Sequence, residues 1–92
     1  MKHVHPPEER KALITRLRKI RGQVQALERM LEADEDCPEV LNQVISARNA
    51  LKSFGDEIVQ SHLHECIEHA RTPAESRQNL KSFLLVLKRY VS

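Results

Sequence analysis

Ninety-two residues and 10.7 kDa suffice for one small domain, residues 1–92, and a chain this short exposes so much surface that oligomerisation is the default expectation. Fifteen Lys+Arg against thirteen Asp+Glu leave a net charge of +2, so any electrostatic information lies in how the charges are placed. Two glycines cannot supply a Gly-rich phosphate loop or a dinucleotide fingerprint, and three aromatic residues are too few for the stacking platforms that bind single-stranded nucleic acid.

From Pro7 to about Ala33, Leu13, Leu17, Ile20, Val24, Leu27 and Leu31 follow a 4-3-4-3-4 spacing, which predicts one long helix with an apolar seam. Its charges are segregated. Arg10, Lys11, Arg16, Arg18, Lys19 and Arg21 have no acidic residue among them, whereas Glu28, Glu32, Asp34, Glu35, Asp36 and Glu39 are opposed by Arg29 alone. Asp36, Pro38 and Glu39 form a helix-start pattern that places Cys37 at the amino terminus of a second helix. That helix is expected to run to about Ala70, with the small residues Ser46, Ala47, Ala50 and Ser53 near its middle. Thr72-Pro73-Ala74-Glu75 is a capping box with proline at the first helical position, and it opens a third helix carrying Leu80, Phe83, Leu84, Leu87 and Val91. No strand pattern or internal repeat occurs, so the prediction is an all-α, three-helix subunit.

No window approaches eighteen consecutive apolar residues, and Met1 to Glu9 lack the apolar region of a secretory signal. A cytoplasmic protein with no membrane partner is expected. In that reducing compartment Cys37 and Cys66, accompanied by five histidines, suit metal or redox chemistry better than a disulfide. His62 and Cys66 stand at i and i+4, one turn apart on one helix face, as two donors to one metal would. His69 shares that face or caps the helix end, and His64 points about 200° away. Cys37 is the candidate third donor, but 25 residues at ~1.5 Å each put it ~37 Å from His62 along one helix. One subunit cannot close such a site. Two copies of the helix packed antiparallel, crossing near Ala50 and Leu51, bring Cys37 of one chain beside His62 and Cys66 of the other, giving two equivalent intersubunit sites per dimer.

Cys37, His62 and Cys66 at these spacings, together with the run Thr15-Arg16-Leu17-Arg18-Lys19-Ile20-Arg21-Gly22-Gln23, resemble the CsoR/RcnR family of bacterial ligand-responsive repressors across essentially the whole chain. The resemblance implies a disc-shaped tetramer, a dimer of dimers, that binds double-stranded operator DNA when unliganded and releases it when an effector binds at Cys37 and its partners. Cys-His-Cys is the trio of the copper branch, and two thiolates with an imidazole suit Cu(I). That branch, however, usually has a tyrosine where Asp36 stands and a third-helix glutamate near Ser82. His5 lies 32 positions before Cys37, the register in which nickel and cobalt members place an amino-terminal ligand. His5, Cys37, His62 and Cys66 then form an N2S2 set for planar Ni(II) or tetrahedral Co(II) and Zn(II). The formaldehyde branch has a proline where Lys2 stands, and the sulfur-sensing branch lacks the histidine at His62.

Four copies of Arg16, Arg18, Lys19 and Arg21, joined by Lys88 and Arg89, would build an extended positive surface for duplex phosphates. No helix-turn-helix is evident, so phosphate contacts and DNA shape are expected to dominate over base reading. No nucleophile, base and orienting group form a set, and an enzyme is not expected. The expectation is a metal-responsive repressor released by Ni(II)/Co(II) or Cu(I). The alternatives are a formaldehyde- or sulfur-responsive repressor of the same family, or a helical metal-binding protein without a DNA target.

Overall fold

A computed structural model describes residues 5–68 and 71–92, apart from the side chains at positions 66 and 67, and its regular structure is entirely helical. Helix α1 spans Pro7–Glu32, α2 spans Cys37–Glu68 and α3 spans Pro73–Val91. The three helices start where capping and proline chemistry placed them.

Each helix start has its own local cause. Pro7 occupies the first turn of α1, where a missing N–H costs nothing, and Glu8 and Glu9 place negative charge at the positive end of the helix. At the α3 start the Thr72 hydroxyl accepts from the Glu75 N–H at 3.0 Å, the cap expected from sequence, while Glu75 Oε2 reaches back one residue further than a capping box requires and accepts from the Arg71 N–H at 3.4 Å. At α2 the main-chain carbonyl of Asp36 accepts from the N–H groups of Glu39 and Val40, which closes the first turn of the helix.

The turn between α1 and α2 closes by a motif that has no counterpart among the sequence expectations. The Glu35 N–H donates to Met30 O at 3.0 Å and the Asp34 N–H to Leu31 O at 3.2 Å, the paired bonds of a Schellman cap. That geometry needs a left-handed residue, and Asp34 supplies it with φ 54°. Glycine is the usual occupant because it has no Cβ to strain. Aspartate tolerates the conformation better than most residues, yet still at a cost.

The described residues form two compact units, His5–Asp56 and Glu57–Ser92. In the first, α1 lies against the amino-terminal part of α2. Leu13 and Ile20, two turns apart on one face of α1, are its buried apolar side chains, and Gln43 Nε2 donates to the main-chain oxygen of Gln23 at 3.2 Å. In the second, the carboxyl-terminal part of α2 packs on α3. Much of the apolar seam stays in solvent: Leu17, Val24 and Leu31 of α1, Leu41 and Leu51 of α2, and Leu85 and Val91 of α3 are all exposed. None of the described helices is long and apolar enough to cross a membrane.

Asp34→Gly should stabilise the fold by roughly 0.5–1 kcal/mol, the left-handed strain relieved less the chain entropy that glycine adds. A urea midpoint that rises at unchanged slope is the expected readout. A midpoint below that of the unsubstituted protein would show that the Asp34 side chain does more for the turn than its backbone strain costs.

Candidate functional site

The helical framework separates the candidate ligands before any packing is considered. Cys37 is the first residue of α2, with an exposed thiol, while His62 and Cys66 lie near the other end of the same helix. The Cys66 side chain and His69 lie outside the described residues. Among the described residues no three His, Cys, Asp or Glu side chains of one chain gather into a cluster that could hold a metal ion. His5 precedes α1 and Cys37 follows it, so 26 helical residues lie between them.

His62 sits in a defined environment. It is half-buried, its imidazole centroid lies 4.3 Å from that of Phe83, and the two rings are inclined at 43°. His62 and Phe83 share the wall of a cavity of about 240 Å³ with Asn79, Ser82 and Val86. On α3 the positions 79, 82, 83 and 86 form one stripe at i, i+3, i+4 and i+7, so a single face of the helix meets His62. Ser82, where the family resemblance points for a third-helix partner of the histidine, lines this cavity and brings a hydroxyl instead of a carboxylate. Phe83 carries no sequence signal beyond its place in an apolar stripe.

His5 is anchored. Its Nδ1–H donates to Glu9 Oε1 across 2.9 Å, one helical turn away, and in the neutral imidazole this places the lone pair on Nε2. Donating the other ring N–H to a carboxylate is what metal-binding histidines commonly do, because it fixes the tautomer and raises ligand basicity. His64 is exposed and pairs with Glu68 at 3.1 Å, in keeping with its expected direction away from His62.

The basic residues of α1 divide between two faces. Arg18 shares a shallow groove with Arg10, Lys11, Ile14 and Thr15, three cations at helical spacing around a slot beside the helix. Arg16 is half-buried instead and lines a cleft with Lys19 and Gln23 against Ser46 and Ser53 of α2. Arg21 is exposed, and Lys88 and Arg89 are exposed in the last turn of α3, where cations suit the helix dipole. Arg10 and Lys11 therefore join Arg18 as surface cations; the i, i+1, i+8 spacing of the three is the sequence signal for this grouping.

A family described as "Metal-sensitive transcriptional repressor" matches residues 9–89 of the chain. Solved structures with the same fold include a variant of the formaldehyde-responsive regulator FrmR from Salmonella enterica serovar Typhimurium. It is 36% identical, with a TM-score of 0.85 over 95% of this chain and 99% of that one. The copper-sensing repressor CsoR with Cu(I) from Geobacillus thermodenitrificans NG80-2 is 25% identical, with a TM-score of 0.89 over 99% of this chain and 95% of that one. The nickel-responsive transcriptional regulator InrS is 34% identical, with a TM-score of 0.79 over 96% of this chain and 99% of that one.

The two basic faces should separate on substitution. Lys11→Ala and Arg18→Ala should each weaken binding to duplex DNA and flatten the plot of log K against log salt by about 0.9 for each phosphate no longer neutralised, with stability unchanged within about 0.5 kcal/mol. Arg16→Ala should in addition lower the urea midpoint, because its guanidinium is packed into the cleft against α2. Salt titrations of DNA binding alongside urea unfolding would check both. Equal stability losses for Arg16 and Arg18 would contradict the division.

Proposed function

Because the chain belongs to the family of metal-sensitive transcriptional repressors, we propose that it is a metal-responsive repressor. In this reading it binds operator DNA as a dimer of dimers in the apo form and is released when a transition metal ion binds Cys37 of one subunit with His62 and Cys66 of another. The observation that carries this reading is the placement of the donors. Cys37 opens α2 and His62 stands 25 positions further along the same helix, too far for the two to meet at one ion within one chain. The donor types suit the effector: two thiolates and an imidazole bind soft and borderline transition metals, and the Cys37 thiol is exposed. The bound metal would supply a crosslink between subunits, and the rest is done by the protein. The exposed seams of α1 and α2 offer the surface for a second copy, and the cations of α1 offer the surface for duplex phosphates.

The two equilibria are linked. A metal that weakens DNA binding by some factor must be weakened by DNA through the same factor, with ~1–3 kcal/mol the usual scale of coupling.

Among metals we favour Ni(II)/Co(II) over Cu(I), with Zn(II) binding in vitro through the same set. His5, held by Glu9, adds a fourth donor that a three-coordinate Cu(I) site does not need, and Asp36 and Ser82 stand where copper sensors usually have tyrosine and glutamate. A formaldehyde-responsive repressor, with Cys37 as the nucleophile, is the second reading; the 36% identity to FrmR and the exposed thiol favour it.

Mixing Cys37→Ala with His62→Ala subunits should restore one intact site per mixed dimer, whereas each variant alone has none, as read by Co(II) absorption. No recovery after demonstrated subunit exchange would mean that the ligands come from one chain. His5→Ala should lower Ni(II) affinity about 10-fold or more, the scale of losing one ligand or its support. Cu(I) binding through Cys37, His62 and Cys66 should remain. If His5→Ala still releases DNA at the free Ni(II) concentration that suffices for the unsubstituted protein, the copper reading is the better one. Release by formaldehyde but by neither metal would establish the second reading instead.

A further inference from the structure

We infer that Phe83 is a positioning residue for the effector site: its ring holds the imidazole of His62 in the plane from which that imidazole coordinates. The inference rests on the reading of His62 as an effector ligand. A histidine on a helix is free to turn about Cβ–Cγ, because that torsion has broad wells. Its coordinating lone pair lies in the ring plane, so the direction of the metal bond is only as well defined as that plane.

At His62 the plane has a neighbour. The Phe83 centroid is 4.3 Å away with the rings tilted by 43°, close enough for the aromatic ring to limit rotation of the imidazole. An aromatic ring makes no claim on the lone pairs at the imidazole edge, so the contact orients the ligand without competing for it. Phe83 shares the wall of one cavity with His62 and with Asn79, Ser82 and Val86 of its own α3 face.

Phe83→Leu, Phe83→Met and Phe83→Tyr in the full-length protein test this, with His62→Gln as the reference and Co(II) as the probe. Circular dichroism and urea midpoints select the folded variants; Met keeps the test available if Leu does not fold. In the apo-protein with isotope-labelled histidine, the His62 ring protons, assigned by their loss in His62→Gln, should resonate upfield through the Phe83 ring current. Phe83→Leu and Phe83→Met should abolish this shift and weaken Co(II) binding by about 10- to 100-fold, as loss of a ligand's supporting partner does. Phe83→Tyr, which keeps the ring, should retain both properties. Unaltered Co(II) affinity in a folded Leu or Met variant, with binding lost in His62→Gln, would overturn the positioning role and leave His62 a ligand. Weakened binding with the ring shift intact would overturn it too, because the effect would then be structural. Co(II) binding by His62→Gln as tight as that of the unsubstituted protein would remove the ligand reading and this inference together.

Discussion

The constraint on which the rest depends is the scarcity of buried apolar surface. Leu13 and Ile20 are the buried apolar side chains of the described residues, while leucines and valines of all three helices stand in water. Burial of such side chains is the main term that opposes the entropy of ordering a chain. Half of the α1 seam, Leu17, Val24 and Leu31, contributes little of that term within one chain. The helical form of the subunit is thus determined by local signals, namely proline at first turns, the Thr72 cap and the Schellman closure at Asp34, and its apolar faces remain available for association.

Long helices also govern the chemistry. A helix advances about 1.5 Å per residue and cannot fold back to bring its two ends together. Placing a thiol at the first residue of α2 and an imidazole 25 positions later separates donors that a metal would require at bonding distance. In the proposed repressor this separation couples effector binding to subunit arrangement, because the same ion that completes the site joins two chains.

The charge pattern of α1 follows a similar logic at the level of helical faces. Six cations without an intervening acid make the segment from Arg10 to Arg21 uniformly positive. Helical geometry then distributes them: Arg10, Lys11 and Arg18 around an open groove, Arg16 and Lys19 toward α2. A guanidinium packed against the neighbouring helix loses freedom that an exposed one keeps, so residues of one type in one run come to serve different purposes.

Sequence by itself determined the three helices, because caps, prolines and apolar spacing act within a few residues of where they occur. It also determined the family, from Cys37, His62, Cys66 and the basic run, and the separation of Cys37 from His62, which follows from helical rise. Only the tertiary structure decided which neighbours these residues have. The packing of Phe83 on His62 joins residues 21 positions apart through the docking of α3 on α2, and no periodicity encodes such a pairing. The half-burial of Arg16 in the cleft against Ser46 and Ser53 of α2 likewise depends on how two helices dock. Local order is set by interactions between near neighbours along the chain, which a sequence displays. The identity of the group across a packed face is set by how two surfaces fit, which it does not.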